Sequence, residues 1–227
     1  MRGELTAGIA VGLASVIKVF PAVLLIWFVL TRRYRAAAGV VIGAAAFVLV
    51  TLPITGIEPW TQFPAVLANL SAPSDTTDTL APTVWLAELI GFTPARVVVT
   101  VAGLALLAFS ALASTAGPRD DDSSVAVGYR RSPTSRSFAI AVTVAVLVAP
   151  AVYHHYLALL VLPMLLALGS GVPLRWIALA YFLMWGGQQA ALGDLSWIVN
   201  RAMPTAGALV LLVALLFPRT RTTNHVR

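Results

Sequence analysis

Lys18 stands near the middle of an apolar run that extends from Ala7 to Leu30. A lysine at that depth in lipid costs about 2.5–3.5 kcal/mol on insertion scales, so such residues are retained for a reason. One reason is to hold a phosphate or an acidic group in a polar cavity. The plainer alternatives are snorkelling to the interface, or pairing with a carboxylate of another helix. A second polar exception is the pair His154 and His155, in the stretch VAPAVYHHYLALLVLP from Val148 to Pro163. The pair separates two apolar runs, which places it at a membrane interface. Adjacent histidines point to different faces of a helix, so these two do not chelate one metal together. A histidine here can hydrogen-bond a phosphate or shuttle a proton, which makes His154 and His155 the candidate catalytic residues. The alternative is interfacial anchoring beside Tyr153 and Tyr156. Tyr153 is kept as a candidate substrate-binding residue.

Proton abstraction from a hydroxyl acceptor calls for a carboxylate. Glu58, Asp75, Asp78, Glu88 and Asp194 fall between apolar segments on the same side as the histidines. Asp75 and Asp78 sit in a polar loop where ordinary solvation competes with a substrate-binding role. Asp194, with Gln188 and Gln189, lies where a polar ligand could be hydrogen-bonded, and loop solvation competes there too. Other chemistries are excluded. Cysteine is absent, so there is no thiol nucleophile, disulfide or cysteine-bound metal. No Walker-type phosphate loop, zinc spacing or nucleophile elbow occurs, and no cofactor is called for. Asn69-Leu70-Ser71 fits a glycosylation acceptor pattern, which matters only in a eukaryotic secretory setting.

The elements that must position these residues are apolar helices. The chain is 59% hydrophobic and 11% charged, with mean hydropathy +0.89. A soluble domain carries about a quarter charged residues. The expected fold class is all-α: a polytopic transmembrane helical bundle of about seven segments over 7–30, 36–54, 95–114, 137–152, 155–170, 174–192 and 203–218. Basic residues cluster after the first, third, fifth and seventh segments, at Arg32, Arg33, Arg35, then Arg119 to Arg136, then Arg175, then Arg219 to Arg227. If every segment crosses once, only Arg2, Arg96 and Arg201 fall on the other side. That asymmetry makes the clusters cytoplasmic. It also explains the pI of about 10.5 without nucleic acid, for which no recognition module is present.

Two details complicate the count. Pro21 follows Lys18, and proline kinks or breaks a helix, so 7–30 is either one kinked span or two half-helices in a re-entrant hairpin. In the hairpin the N-terminus is cytoplasmic. The fourth segment is short, with Pro150 near its end. The whole of 1–227 reads as a single transmembrane domain. Its extracytoplasmic loop, 55–94, has short interfacial helices at Glu58–Leu70 and Thr83–Ile90 around the polar stretch 71–79. Its cytoplasmic linker, 115–136, is polar and serine-rich. The small-residue patterns Gly8/Gly12 and Gly39/Gly43 suit close helix packing.

The run AGIAVGLASVIKVFPAVLL over Ala7–Leu25, followed by Arg32, Arg33, Tyr34 and Arg35, resembles glycosyltransferase family 87, membrane mannosyltransferases of the GT-C class. The stretch Val148–Pro163 resembles the family's Ser-Pro, His-His and Leu-Leu-Pro sequence, with Ala149 where the serine usually stands. Pro204–Leu209 and the apolar run after it are similar to the family's last helix. The resemblance implies a GT-C-like bundle in the plasma membrane, multi-pass. It implies inverting transfer of a hexose, usually mannose, at the extracytoplasmic face. The donor would be a polyprenyl-phosphate-linked sugar, the acceptor a glycolipid or glycan, and the surroundings membrane lipids. Asn69 is the nearest counterpart of a family Asn-Gln-Ser stretch and joins the substrate-binding candidates on that ground. The family's catalytic carboxylate lies in a first extracytoplasmic loop of a longer chain, so this chain is expected to be a C-terminal portion. Two other functions fit the same residues. One is a non-catalytic subunit that binds a lipid carrier or scaffolds a partner. The other is a small-molecule transporter, for which no inverted repeat is found.

Overall fold

The computed structural model describes residues 2–70, 80–116, 133–149, 152–185 and 202–217. Among these every regular element is helical, and a helix satisfies its own backbone polar groups. The elements are α1 (Arg2–Ile17), α2 (Val23–Leu30), α3 (Tyr34–Thr55), α4 (Glu58–Leu70), α5 (Pro82–Ile90), α6 (Phe92–Ala116), α7 (Pro133–Leu147), α8 (Val161–Gly169), α9 (Leu174–Trp185) and α10 (Met203–Leu216). Two 3-10 helices, Phe20–Ala22 and His154–Leu160, interrupt the series. Helices α3 and α6, of 22 and 25 residues, are long and apolar enough to cross a bilayer, and the shorter apolar stretches, each 3-10 turn counted with the helix that follows it, have 10–17 residues. The stretches Glu58–Leu70 and Thr83–Ile90 are helical as expected, forming α4 and α5.

The first apolar run is a hairpin. Helix α1 stops at Ile17, the residue whose carbonyl a proline at position 21 would strike, since proline clashes with the carbonyl four residues back. The chain bends at Lys18 and Val19, makes the 3-10 turn Phe20–Ala22, and returns through α2. Two sets of contacts fix the directions. Gly8 abuts the carbonyl of Ala36 and Gly12 that of Val40, so α1 and α3 run parallel. Phe20 at the start of the return limb meets Tyr156 at 5.5 Å between ring centroids, while Trp27 near its end meets Phe138 at 5.1 Å. Helix α2 therefore runs opposite to α7. Arg32, in the left-handed region (φ 59°), then closes α2. The amide N–H of Arg33 donates to the Phe28 carbonyl and that of Arg32 to Val29, a Schellman-type helix end.

Parallel packing of α1 on α3 depends on the four glycines. A Cβ on Gly8, Gly12, Gly39 or Gly43 would run into backbone atoms of the facing helix. Close backbone approach is how helices gain dispersion energy in lipid, where no hydrophobic force drives them together.

Helices α6 and α7 run in opposite directions, and so do α9 and α10. Gly103 of α6 faces Val144 and Val148, whereas Ser110 lies near Arg136 and Ser137, so α6 and α7 are antiparallel. Gly207 of α10 packs against Ala180 and Met184 of α9, at their approach to the same end. Arg136 donates two hydrogen bonds to the carbonyls of Leu215 and Leu216, closing the last turn of α10 with a cation at the negative end of its dipole. Arg33, Arg136 and Arg175 thus gather at one end of the molecule, the arginine end. Thr55, Leu80, Val152 and Thr205 mark the other, the histidine end.

Candidate functional site

The 3-10 helix His154–Leu160 carries the histidine pair, and the fold holds it from three directions. Leu157 and Leu160 are buried on its inner face. The residue before Tyr153 is tied down, because the amide N–H of Leu80 donates to the carbonyl of Val152 at 2.7 Å. Leu80 is itself fixed, its carbonyl accepting from Thr205 Oγ1 at 2.7 Å. The start of α10, the segment leading into α5 and the histidine turn are therefore one hydrogen-bonded unit, built around the nearly fully buried Leu80 and Ala81. Helix α8 continues directly from the turn.

Lys18 approaches from the α1–α2 hairpin. Its Nζ lies 3.1 Å from Nε2 of His155, a contact between residues 137 positions apart. The same Nζ sits over the ring of Tyr156, 3.7 Å from its centroid. An ammonium donates and cannot accept, so Nε2 is the acceptor and the neutral imidazole carries its proton on Nδ1. Around this pair the rings pack tightly. Tyr153 is parallel to His155 (5.9 Å, 5°), and Tyr156 is nearly perpendicular to it (4.4 Å, 85°). Phe20, two residues after Lys18, closes the other side of Tyr156. Lys18 and Tyr156 are half-buried, and Tyr153 and His155 are exposed.

Burial this shallow leaves the ammonium reachable by a ligand. Of its three N–H donors, one is committed to His155 and one faces the Tyr156 ring. Among the described residues the third has no acceptor, and no carboxylate lies within ion-pair distance. A cation held without a counter-ion, next to an imidazole with a further N–H, is suited to binding an oxyanion such as a phosphate. Among the described residues no group of three His, Cys, Asp or Glu side chains converges.

The candidates from sequence are distributed unevenly. Lys18, Tyr153 and His155 come together. His154 opens the 3-10 helix, half-buried and with a contact of its own. Asn69 lies in the last turn of α4. Asp75, Asp78 and Asp194 lie outside the described residues. Tyr156 and Phe20 were missed. The sequence offered Tyr156 only as an interfacial anchor, and its one usable signal was an aromatic ring directly after the histidines. The apolar groove of about 470 Å³ along α10, lined by Pro173, Trp176, Leu209, Val210, Val213 and Phe217, is lined by no polar side chain and lies away from this cluster.

Comparison with known proteins adds one finding. The model of glycosyltransferase family 87 matches residues 1–150, about two thirds of the 227-residue chain. The match includes Lys18 and the hairpin, and ends before the histidine pair. None of the curated proteins and none of the solved structures matches the chain.

Proposed function

This chain belongs to glycosyltransferase family 87, a family of membrane glycosyltransferases, and on that premise we propose that it transfers a hexose from a polyprenyl-phosphate donor to a glycolipid or glycan acceptor. Mannose is the sugar the family resemblance favours. The supporting observation is the contact of Lys18 with His155, which joins a helix break to an interfacial turn far away in sequence.

In this reading the arginine end faces the cytoplasm, the α1–α2 hairpin enters and returns on that face, six further segments cross the plasma membrane, and the cluster opens to the extracytoplasmic side. Lys18 and an N–H of His155 bind the donor phosphate, with Tyr153 against the donor. The acceptor hydroxyl attacks the anomeric carbon in line, its oxygen forming the new bond as the bond from that carbon to the phosphate oxygen breaks. Inversion follows from the single displacement. The electron pair leaves with the polyprenyl phosphate, and the lysine charge stabilises it as it develops. The acceptor proton goes to an extracytoplasmic carboxylate, the role for which Asp75, Asp78 and Asp194 are candidates. His154 and Asn69 take acceptor or donor contacts at the same face.

Membranes supplied with labelled polyprenyl-phosphate mannose test this. A charge-assisted hydrogen bond contributes about 1.5–3 kcal/mol, so Lys18→Ala lowers transfer by about ten- to a hundredfold. Transfer at the unsubstituted rate in that variant would rule the proposed site out.

A further inference from the structure

We propose that Tyr156 is a positioning residue: its ring is the seat that holds the Lys18 ammonium beside His155, ready for an anionic ligand. The proposal rests on the reading of Lys18 and His155 as the phosphate-holding pair, and adds to it the device that keeps the pair assembled.

The need for a seat follows from where Lys18 sits. Its stem is long and flexible, and the hairpin turn gives it little support. Ile17 and Val19 on either side are exposed, at 72% and 41%. Nothing in its own element fixes the ammonium, so the other wall of the site must. Tyr156 belongs to that wall. Its backbone N–H donates to the Tyr153 carbonyl at 2.9 Å, and the next residue, Leu157, is buried, so the ring projects from an anchored turn. The ring meets four partners: the ammonium at 3.7 Å, His155 at 4.4 Å, Phe20 at 5.5 Å and Tyr153 at 5.9 Å.

The choice of an aromatic is chemically pointed. A carboxylate in the same place would hold the ammonium more firmly, but it would neutralise it and compete with a phosphate. The face of an aromatic ring attracts a cation through its quadrupole and leaves the full charge in place. The arrangement holds Lys18 without using up what a phosphate needs. Tyr153 braces His155 from its other side, so both donors are set before any ligand arrives. Preorganisation of this kind raises affinity by removing the ordering cost from the binding step.

The test uses the full chain in nanodiscs, with sugar-free polyprenyl phosphate as the binding probe and polyprenyl-phosphate mannose for turnover. Tyr156→Phe keeps the ring face and binds the probe within about twofold of the unsubstituted protein. Tyr156→Leu removes the seat and raises Kd and KM by about tenfold, with kcat changed far less. A ring-fluorinated phenylalanine at the same position keeps the shape and drains the ring face of electron density. It weakens binding relative to Tyr156→Phe, and this holds the test open even where Tyr156→Leu folds poorly. In a Lys18→Met background, Tyr156→Leu adds no further loss. If the Tyr156→Leu penalty is the same with and without Lys18, or fluorination has no effect, Tyr156 does not act through the lysine and the proposal is overturned while the phosphate reading stands. If Lys18→Met itself leaves Kd unchanged, both fall.

Discussion

Single residues are legible in this sequence when they are expensive. Lys18 and the histidines drew attention because lipid penalises charge and polarity, and the structure brings Lys18 and His155 within hydrogen-bonding distance. Tyr156 escaped notice for the opposite reason. Tyrosine is cheap at an interface, so its presence there carries little information. The same holds for Trp27 and Ser137, two residues of apolar segments that the sequence does not single out. They form a buried hydrogen bond, indole N–H to Ser137 Oγ at 2.9 Å, with both side chains 2% exposed. The bond ties the return limb of the hairpin to α7. Ser137→Ala leaves the indole donor buried without that acceptor, which costs about 1–3 kcal/mol. Thermal unfolding in detergent should show Ser137→Ala melting lower than the unsubstituted chain, with transfer at low temperature retained because the cluster lies at the other end of the limb. An unchanged melting temperature would mean that Trp27 gains nothing from Ser137.

Elements were legible in kind and less so in path. Long apolar runs specify helix in lipid, and α3, α4, α5 and α6 begin and end within a few residues of the expected segments. The hairpin was open because a proline after a lysine reads equally as a kink or as a reversal. What decides between them is the partner, which one segment's sequence does not name. The glycines of α1 and α3 make the decision: small residues at matching heights let two parallel helices touch along their backbones, and α2 must then run back between their ends. It follows that Lys18 is placed by packing about two to three turns away. Gly12→Leu forces α1 off the Val40 carbonyl, and overpacking of this kind costs about 1–3 kcal/mol. The hairpin tip moves with it, so the variant should lose both melting temperature and affinity for polyprenyl phosphate. Gly3→Ala, where an added Cβ meets nothing within 4 Å, is the matched control. Equal behaviour of the two variants in unfolding and binding assays would show that α1 does not lie on α3 in this way.

The whole molecule is organised by a separation of charge. Arginine counting divided the chain into two faces before any helix was placed, and the folded chain keeps Arg33, Arg136 and Arg175 together at one end. The count erred at Arg2 if each segment crosses once. The hairpin removes that exception, because α1 starts at the same end as α3. The carboxylates Asp75, Asp78 and Asp194 stayed illegible because nothing in their spacing singles one of them out, and they lie outside the described residues. A chain without cysteine allows the arrangement to be read one position at a time. Single substitutions Gly3→Cys, Tyr34→Cys and Thr55→Cys place a thiol at the start of α1, the start of α3 and the end of α3, all at exposed positions. Because α1 and α3 are parallel, the first two share a face and the third is opposite. With a membrane-impermeant maleimide, Thr55→Cys should label in intact cells, and Gly3→Cys and Tyr34→Cys only after lysis. A single kinked span predicts a different result, with Gly3→Cys labelled alongside Thr55→Cys. That outcome would place Lys18 inside one continuous crossing, and the hairpin that carries it to His155 would have to be abandoned.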